Sequence, residues 1–307
     1  MSNEQVKFSY ADTEQIANSS SKDFLSQFST LWVELYVTIN KEILDQLPSL
    51  KHIFTSTTGT GHIDLGVCKL RGIEIHSLNE YREITEKITS TSELTWLLVL
   101  SVWRKLFLNI QTESVTVSDI AEIRERNKGL QISGRSLGVI GFGRVGRRVC
   151  EYGKAFGMQI GYYDTETKSL ENSELSYRQF ESLEELLNSS DVIVISASST
   201  TDSTKIISQN NIDFVKQGAI LINTARGKLW DESLVLSYLE KGRISGVGVD
   251  VYEFEENAEL EHSPFLECEN SSLNLVRTPH IGGATIDAQE IVTKELGAKI
   301  IELLLKK

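Results

Sequence analysis

The 307-residue sequence holds only three cysteines, Cys68, Cys150 and Cys268, and they stand far apart. None has the close partner that a thiolate zinc site or a redox dithiol needs, so buried thiols in a reducing compartment are expected. Long apolar runs are missing too. The densest, Leu97 to Val102, is far too short to cross a bilayer. The start Met1–Ser2–Asn3–Glu4 lacks a basic stretch followed by an apolar one, and no export signal is expected. Positive charge is the third scarcity: 31 Lys and Arg face 43 Asp and Glu, a net charge of −12. Such a surface repels polyanions, which argues against nucleic acid or an anionic membrane as partner, although a few local arginines can still gather a small anion. A soluble cytoplasmic protein is expected.

What is present is a change of pattern along the chain. Before residue 90 short elements alternate: Leu31 to Tyr36 reads as a strand, Lys41 to Leu47 as a helix stopped by Pro48, His52 to Phe54 as a strand, Ile63 to Leu70 as a helix, and Gly72 to Ile75 as a further strand. From Ser92, a candidate cap, runs a helix with Leu94, Leu97, Leu98, Leu100 and Val102, too apolar for a surface helix and read as facing another domain or subunit. Asn109 to Asn127 reads as an exposed connection with some helix. Leu137 to Arg277 is regular: strands at 137–140, 159–163, 192–195, 219–222, 244–249 and 273–276 alternate with helices at 144–156, 182–188, where Ser182 and Glu185 suit a capping box, and 232–239 after Asp231. Near-continuous apolar strands divided by helices indicate a doubly wound α/β domain with a parallel sheet. A long amphipathic helix, Ile286 to Leu305, closes the chain and is expected to pack back on the first unit.

The segment Gly141–Phe142–Gly143–Arg144–Val145–Gly146 follows a strand and opens a helix. Gly141 permits the tight turn, Gly143 leaves room for a pyrophosphate, and Gly146 lets helix and strand approach; Arg144 has two readings, added charge at the helix start or a solvated side chain. Asp164 ends the next strand, 18 positions past Gly146. A carboxylate there accepts from both ribose hydroxyls and repels a 2′-phosphate, so NAD is expected over NADP. The lysine and hydroxyl of a nucleotide-triphosphate loop are absent.

Three segments fall at the carboxyl ends of later strands, where open parallel sheets bind ligands: Asn223–Thr224–Ala225–Arg226–Gly227, Asp250 to Glu255, and Thr278–Pro279–His280–Ile281–Gly282–Gly283. An arginine, acids and a histidine suit hydride transfer to a ketone, because the developing oxyanion needs a proton donor and a cation. A carboxylate orients the imidazole and favours its charged form, and arginine holds a carboxylate in bidentate fashion. Nothing in this chemistry requires a metal. Taken singly, each residue also has a structural reading, as a strand-end cap, a carbonyl donor or a solvated acid.

Together with Thr57 to Asp64, these motifs resemble the D-isomer-specific 2-hydroxyacid dehydrogenase family, from about Lys41 to Gln289. The resemblance implies a Rossmann-type NAD domain at 96–282 and a smaller, discontinuous, flavodoxin-like α/β substrate domain at 1–95 and 283–307. It implies Arg226 as the substrate-binding arginine, Glu255 as the acid paired with the base, and His280 as the proton donor or acceptor. The substrate, a small 2-oxo or 2-hydroxy carboxylate, is implied to meet the backbone of Thr58, Gly59 and Thr60. Arg82 has two readings, a second anion contact or a solvated loop arginine. Ser198, Thr224, Ala225, Asp250 and Gly283 join the cofactor contacts, with Asp250 on the nicotinamide carboxamide. A homodimer through the cofactor domains and closure over substrate are also implied. The chain departs from the family pattern at Ser196 to Thr201, where a histidine and a proline are usual, and at Asn257, where a proline is usual. A noncatalytic NAD-binding subunit and a formate or phosphite dehydrogenase on the same framework are the alternatives.

Overall fold

The computed structural model describes residues 9, 25–34, 37–110, 116–166, 177–198, 205–255 and 262–306. Of the segments read from sequence, residues 35–36, 111–115, 199–201 and 256–257 lie outside these. The chain divides into two compact units, Met1–Ile88 with Ile286–Lys307, and Thr89–Thr285.

The smaller unit is built on three parallel strands in the order β1 (Thr30–Val33), β2 (His52–Thr55), β3 (Glu74–Ser77). Asp64 caps the helix Leu65–Arg71 by accepting from Val67 N, and Gly72, at φ 67°, ends it in the left-handed conformation that favours glycine. One face of the sheet packs Ile53 with Leu44, Ile63 and Cys68. The other packs Phe54 with Leu78, Ile84 and the stripe Val292, Leu296 and Ile300 of the helix Ile286–Leu305. That stripe needs an apolar partner, and Phe54 and Ile84 supply it.

The larger unit is a seven-stranded parallel sheet ordered β10 (Leu275–Arg277), β9 (Gly246–Val249), β8 (Ile220–Asn223), β7 (Val192–Ile195), β4 (Ser136–Ile140), β5 (Gln159–Tyr163), β6 (Arg178–Gln179). The chain winds outward from β4 to β6, then returns to β7 on the other side of β4. The strand order therefore reverses between β4 and β7, the place where such sheets open a crevice at their carboxyl ends. β6 escapes a reading for apolar runs because its two residues are exposed at the sheet edge.

Two local expectations are corrected. Ser92 is not a cap: the helix spans Ser90–Trp103, and Ser92 is buried within it. The helix packs on the large sheet, against β8, β9 and β10. Gly248 of β9 offers no side chain, and a Cβ there would stand 3.1 Å from Leu98 Cβ, so strand and helix meet almost backbone to backbone. The Ser182–Glu185 capping box forms by half, since Ser182 Oγ accepts from Glu185 N while the Glu185 carboxylate pairs with Arg178. Among the described residues no helix is long and apolar enough to cross a membrane.

Candidate active site

The glycine segment leaves β4 and enters the helix Arg144–Ala155. Its three glycines meet different surroundings. Gly141, at φ 92°, lies so close to the loop after β7 that a Cβ would stand 2.5 Å from Ala197 N and Cα, and a Cβ on Gly146 would run into the Gly141 carbonyl. At Gly143 an added Cβ meets nothing within 4 Å. Two glycines thus serve close packing, and the third keeps a space clear. Gly143 is also the N-cap and brings no side chain to the helix start, whereas side chains of Asp64, Ser182 and Asp231 cap theirs. First-turn N–H groups behind a glycine N-cap, beside an open space, suit a pyrophosphate. Arg144 and Val145, both partly buried, form the helix start.

Asp164 follows β5 and turns towards the glycines: Oδ2 accepts from Phe142 N at 2.7 Å, Oδ1 from Glu166 N at 3.0 Å. The carboxylate is therefore fixed against the glycine segment. After β7, the Ser196 hydroxyl is buried without a hydrogen-bond partner among the described residues, and Ser198 is exposed. Open space at Gly143, a glycine N-cap and an orphaned hydroxyl all fit a dinucleotide.

Beyond β8, the buried Asn223 side chain accepts from Ala225 N at 3.0 Å and donates to Arg226 O at 3.0 Å, which sets the course of the chain through Thr224 and Ala225. The Thr224 hydroxyl bonds Thr95 at 2.7 Å. Arg226 donates to the Ala225 carbonyl at 2.6 Å and has no acidic partner among the described residues. Gly227 packs against the backbone of Tyr252 and Glu253 so tightly that any Cβ would collide with it. This contact brings the arginine segment against the one that carries Glu255.

His280 Nδ1 is hydrogen-bonded to Glu255 Oε1. Both side chains are about one-fifth exposed, and Nε2 bonds no other described group. His280 has φ 53°, a left-handed backbone that a non-glycine residue adopts with strain of about 1–3 kcal/mol. Asp250 holds it there. Its Oδ1 accepts from Thr278 Oγ1 at 2.6 Å and Ile281 N at 2.9 Å, and its Oδ2 from Gly282 N at 2.8 Å. Burial raises the Asp250 carboxyl above the usual range, and these hydrogen bonds oppose the rise. Gly283 is exposed, with open space where a Cβ would be.

Sequence reading missed the clamping action of Asp250, because its partners lie 28 to 32 positions away. It also missed Glu232, a fully buried carboxylate that accepts from Glu253 N at 2.7 Å and Ser263 Oγ at 2.5 Å, anchoring the chain on both sides of residues 256–261. As a helix-start acid after Asp231, Glu232 carried no signal of its own.

In the smaller unit, Thr58, Gly59 and Thr60 leave the carboxyl end of β2, and none of their three N–H groups donates to another described group. Thr57 Oγ1 donates to Gly59 O at 2.6 Å and steadies the turn. Arg82 opens a short helix, is exposed, and pairs with Glu86 four residues on at 3.5 Å.

Residues 97–282 match the NAD-binding domain family of the D-isomer specific 2-hydroxyacid dehydrogenases. The chain belongs to that family. It is an NAD-dependent 2-hydroxyacid dehydrogenase, and NAD is its cofactor. It is 32% identical over 272 residues to a glyoxylate reductase of Thermococcus kodakarensis, covering 86% of this chain and 76% of that one. Identity to a glycerate dehydrogenase of Hyphomicrobium methylovorum is 34% over 266 residues, 83% of this chain and 77% of the relative. The crystal structure of a D-lactate dehydrogenase from Aquifex aeolicus with NAD and lactic acid superposes with a TM-score of 0.72 at 30% identity, over 93% of this chain and 85% of that one.

Proposed function

We propose that this dehydrogenase reversibly reduces a small 2-oxo acid, of the glyoxylate or hydroxypyruvate kind, to a D-2-hydroxy acid with His280 as acid and base. The observation that carries the reading is the pairing of His280 Nδ1 with Glu255, in a larger unit that also holds Arg226 with no acidic partner among the described residues. With Nδ1 committed to Glu255, Nε2 is the atom that gives its proton to the substrate oxygen in reduction and takes it back in oxidation. Glu255 orients the ring and stabilises the imidazolium. Arg226 grips the substrate carboxylate, and its charge stabilises the oxyanion as it forms. The N–H groups of Thr58, Gly59 and Thr60 add neutral donors for that carboxylate. Bound nicotinamide supplies or accepts the hydride.

Asp250 holds the His280 loop and, as the family resemblance implies, also meets the nicotinamide carboxamide. The smaller unit is read as the substrate domain and the larger as the cofactor domain. The enzyme is further read as a cytoplasmic homodimer joined through its larger units. A chain that only bound NAD would leave the His280–Glu255 pair without a use.

The test is NADH oxidation with a panel of small 2-oxo acids. His280→Ala is expected to lower kcat by about 10²–10⁴, the usual contribution of a positioned acid–base group, with NADH affinity unchanged. Undiminished turnover in that variant would remove His280 from the chemistry.

A further inference from the structure

We propose that the smaller unit contains a divalent transition-metal site of the zinc class, made by His52 Nδ1, the Glu74 carboxylate and His76 Nε2. The inference rests on no part of the dehydrogenase reading. β2 and β3 pair so that His52 stands opposite Glu74, and Phe54 opposite His76. Side chains alternate along a strand, so these four residues share one face of the sheet. His76 stacks on Phe54, with ring centroids 4.4 Å apart and planes 21° from parallel, which fixes the imidazole.

The three donor atoms form a triangle: His52 Nδ1 to Glu74 Oε2 3.2 Å, His52 Nδ1 to His76 Nε2 3.4 Å, and His76 Nε2 to Glu74 Oε2 3.8 Å. A triangle with those edges has a centre about 2.0 Å from each corner, which is the zinc–nitrogen and zinc–oxygen bond length of roughly 2.0–2.2 Å. One cation at that centre engages a lone pair from each of the three groups.

A second set of contacts points the same way. The other nitrogen of His76, Nδ1, lies 3.5 Å from Glu80 Oε2. Glu80 is itself fixed by a capping box with Ser77. A carboxylate behind a histidine sets the tautomer that leaves Nε2 free to bind metal. The imidazoles of His52 and His76 are 4% and 17% exposed, while Glu74 is 67% exposed, so the ion has an entry side and room for a water as fourth ligand. Two imidazoles and one carboxylate select zinc-class ions over magnesium or calcium. His52 and Glu74 are the first residues of their strands, so the site lies at the amino ends of β2 and β3, and Thr58 to Thr60 leave the carboxyl end of β2. Its action is to pin β2, β3 and the turn at Leu78–Glu80.

The experiment titrates the full chain, stripped with a chelator, with Zn2+ against a chromophoric competitor. One equivalent is expected to bind, more weakly as falling pH protonates imidazole, and to raise the thermal midpoint. Glu74→Gln, at an exposed position that does not threaten folding, and His76→Gln should each lower the affinity at least about tenfold. Glu80→Gln should lower it about tenfold through the orientation of His76. Mg2+ should give no shift. The proposal is overturned if the parent chain binds no Zn2+, or if Glu74→Gln and His76→Gln take it up as tightly as the parent.

Discussion

The strand ends of the two units are held in different ways. Behind β8, β9 and β10 of the larger unit three buried side chains fix the backbone: Asn223 holds the carbonyl of Arg226, Asp250 the loop of His280, and Glu232 the chain either side of residues 256–261. At the corresponding end of the smaller unit, the N–H groups of Thr58, Gly59 and Thr60 donate to no other described group. The difference follows from the work proposed for each. Proton transfer tolerates little displacement, so the groups proposed to move a proton sit in an over-determined, even strained, backbone. Backbone donors for a carboxylate need only be unspent.

The comparison breaks most readily at Gly227. Alanine there places a methyl group into the backbone of Tyr252 and Glu253, which cannot rotate aside. Gly227→Ala should cost about 3 kcal/mol in denaturant unfolding, at the upper end of overpacking penalties, together with most turnover. A variant as stable and active as the parent would show that the close approach is not what joins the two segments.

A smaller effect separates the glycines of the fingerprint. Gly143→Ala meets only open space, so its unfolding midpoint should equal that of the parent while NADH affinity falls about tenfold or more, the weight of one hydrogen bond to a charged group. Gly146→Ala should do the reverse first and lose stability. Equal loss of stability in both would mean that Gly143 serves packing as well.

The smallest effect contrasts the amino ends of the large sheet with its carboxyl ends. There Asp191 accepts from Ser136 N and Oγ at 3.0 and 2.9 Å and pairs with Lys216 at 2.7 Å. Burial opposes ionisation of Asp191, but Lys216 and Ser136 outweigh it and hold the carboxyl below its ordinary value of 3.8. A folded pKa below the unfolded one stabilises above the unfolded value, and that stability is lost as pH falls through the folded one. Asp191→Asn should therefore cost about 1–2 kcal/mol at neutral pH, and the gap to the parent should close in acid below pH 3.8. Activity at neutral pH should be unchanged. A gap that persists undiminished in acid would mean the carboxylate charge is not its source.

Much of this architecture was legible beforehand. The fully buried strand Val192–Ile195 is an uninterrupted apolar run, and the helix Ile286–Leu305 carries a stripe at helical spacing. β6 was not legible, because two exposed residues make no pattern. Ser92 misled, because a serine before apolar residues resembles a cap while the true helix begins two positions earlier. At the site, Arg226, Glu255 and His280 stand in motifs that can be read one at a time, but the Asp250 clamp and the contact of Gly227 with residues 252–253 join segments far apart along the chain.

The order of amino acids by itself determined the doubly wound class, the glycine turn with its acid partner and the chemical types of the groups proposed to react, since these depend on short-range periodicity and spacing. Only tertiary structure decided which hydrogen bonds those groups keep. It set His280 in a strained backbone against Glu255, left Arg226 with no acid among the described residues, and gathered His52, Glu74 and His76 to a common point. Such contacts come from strand register and from backbone approaches between distant segments, and no local pattern encodes either.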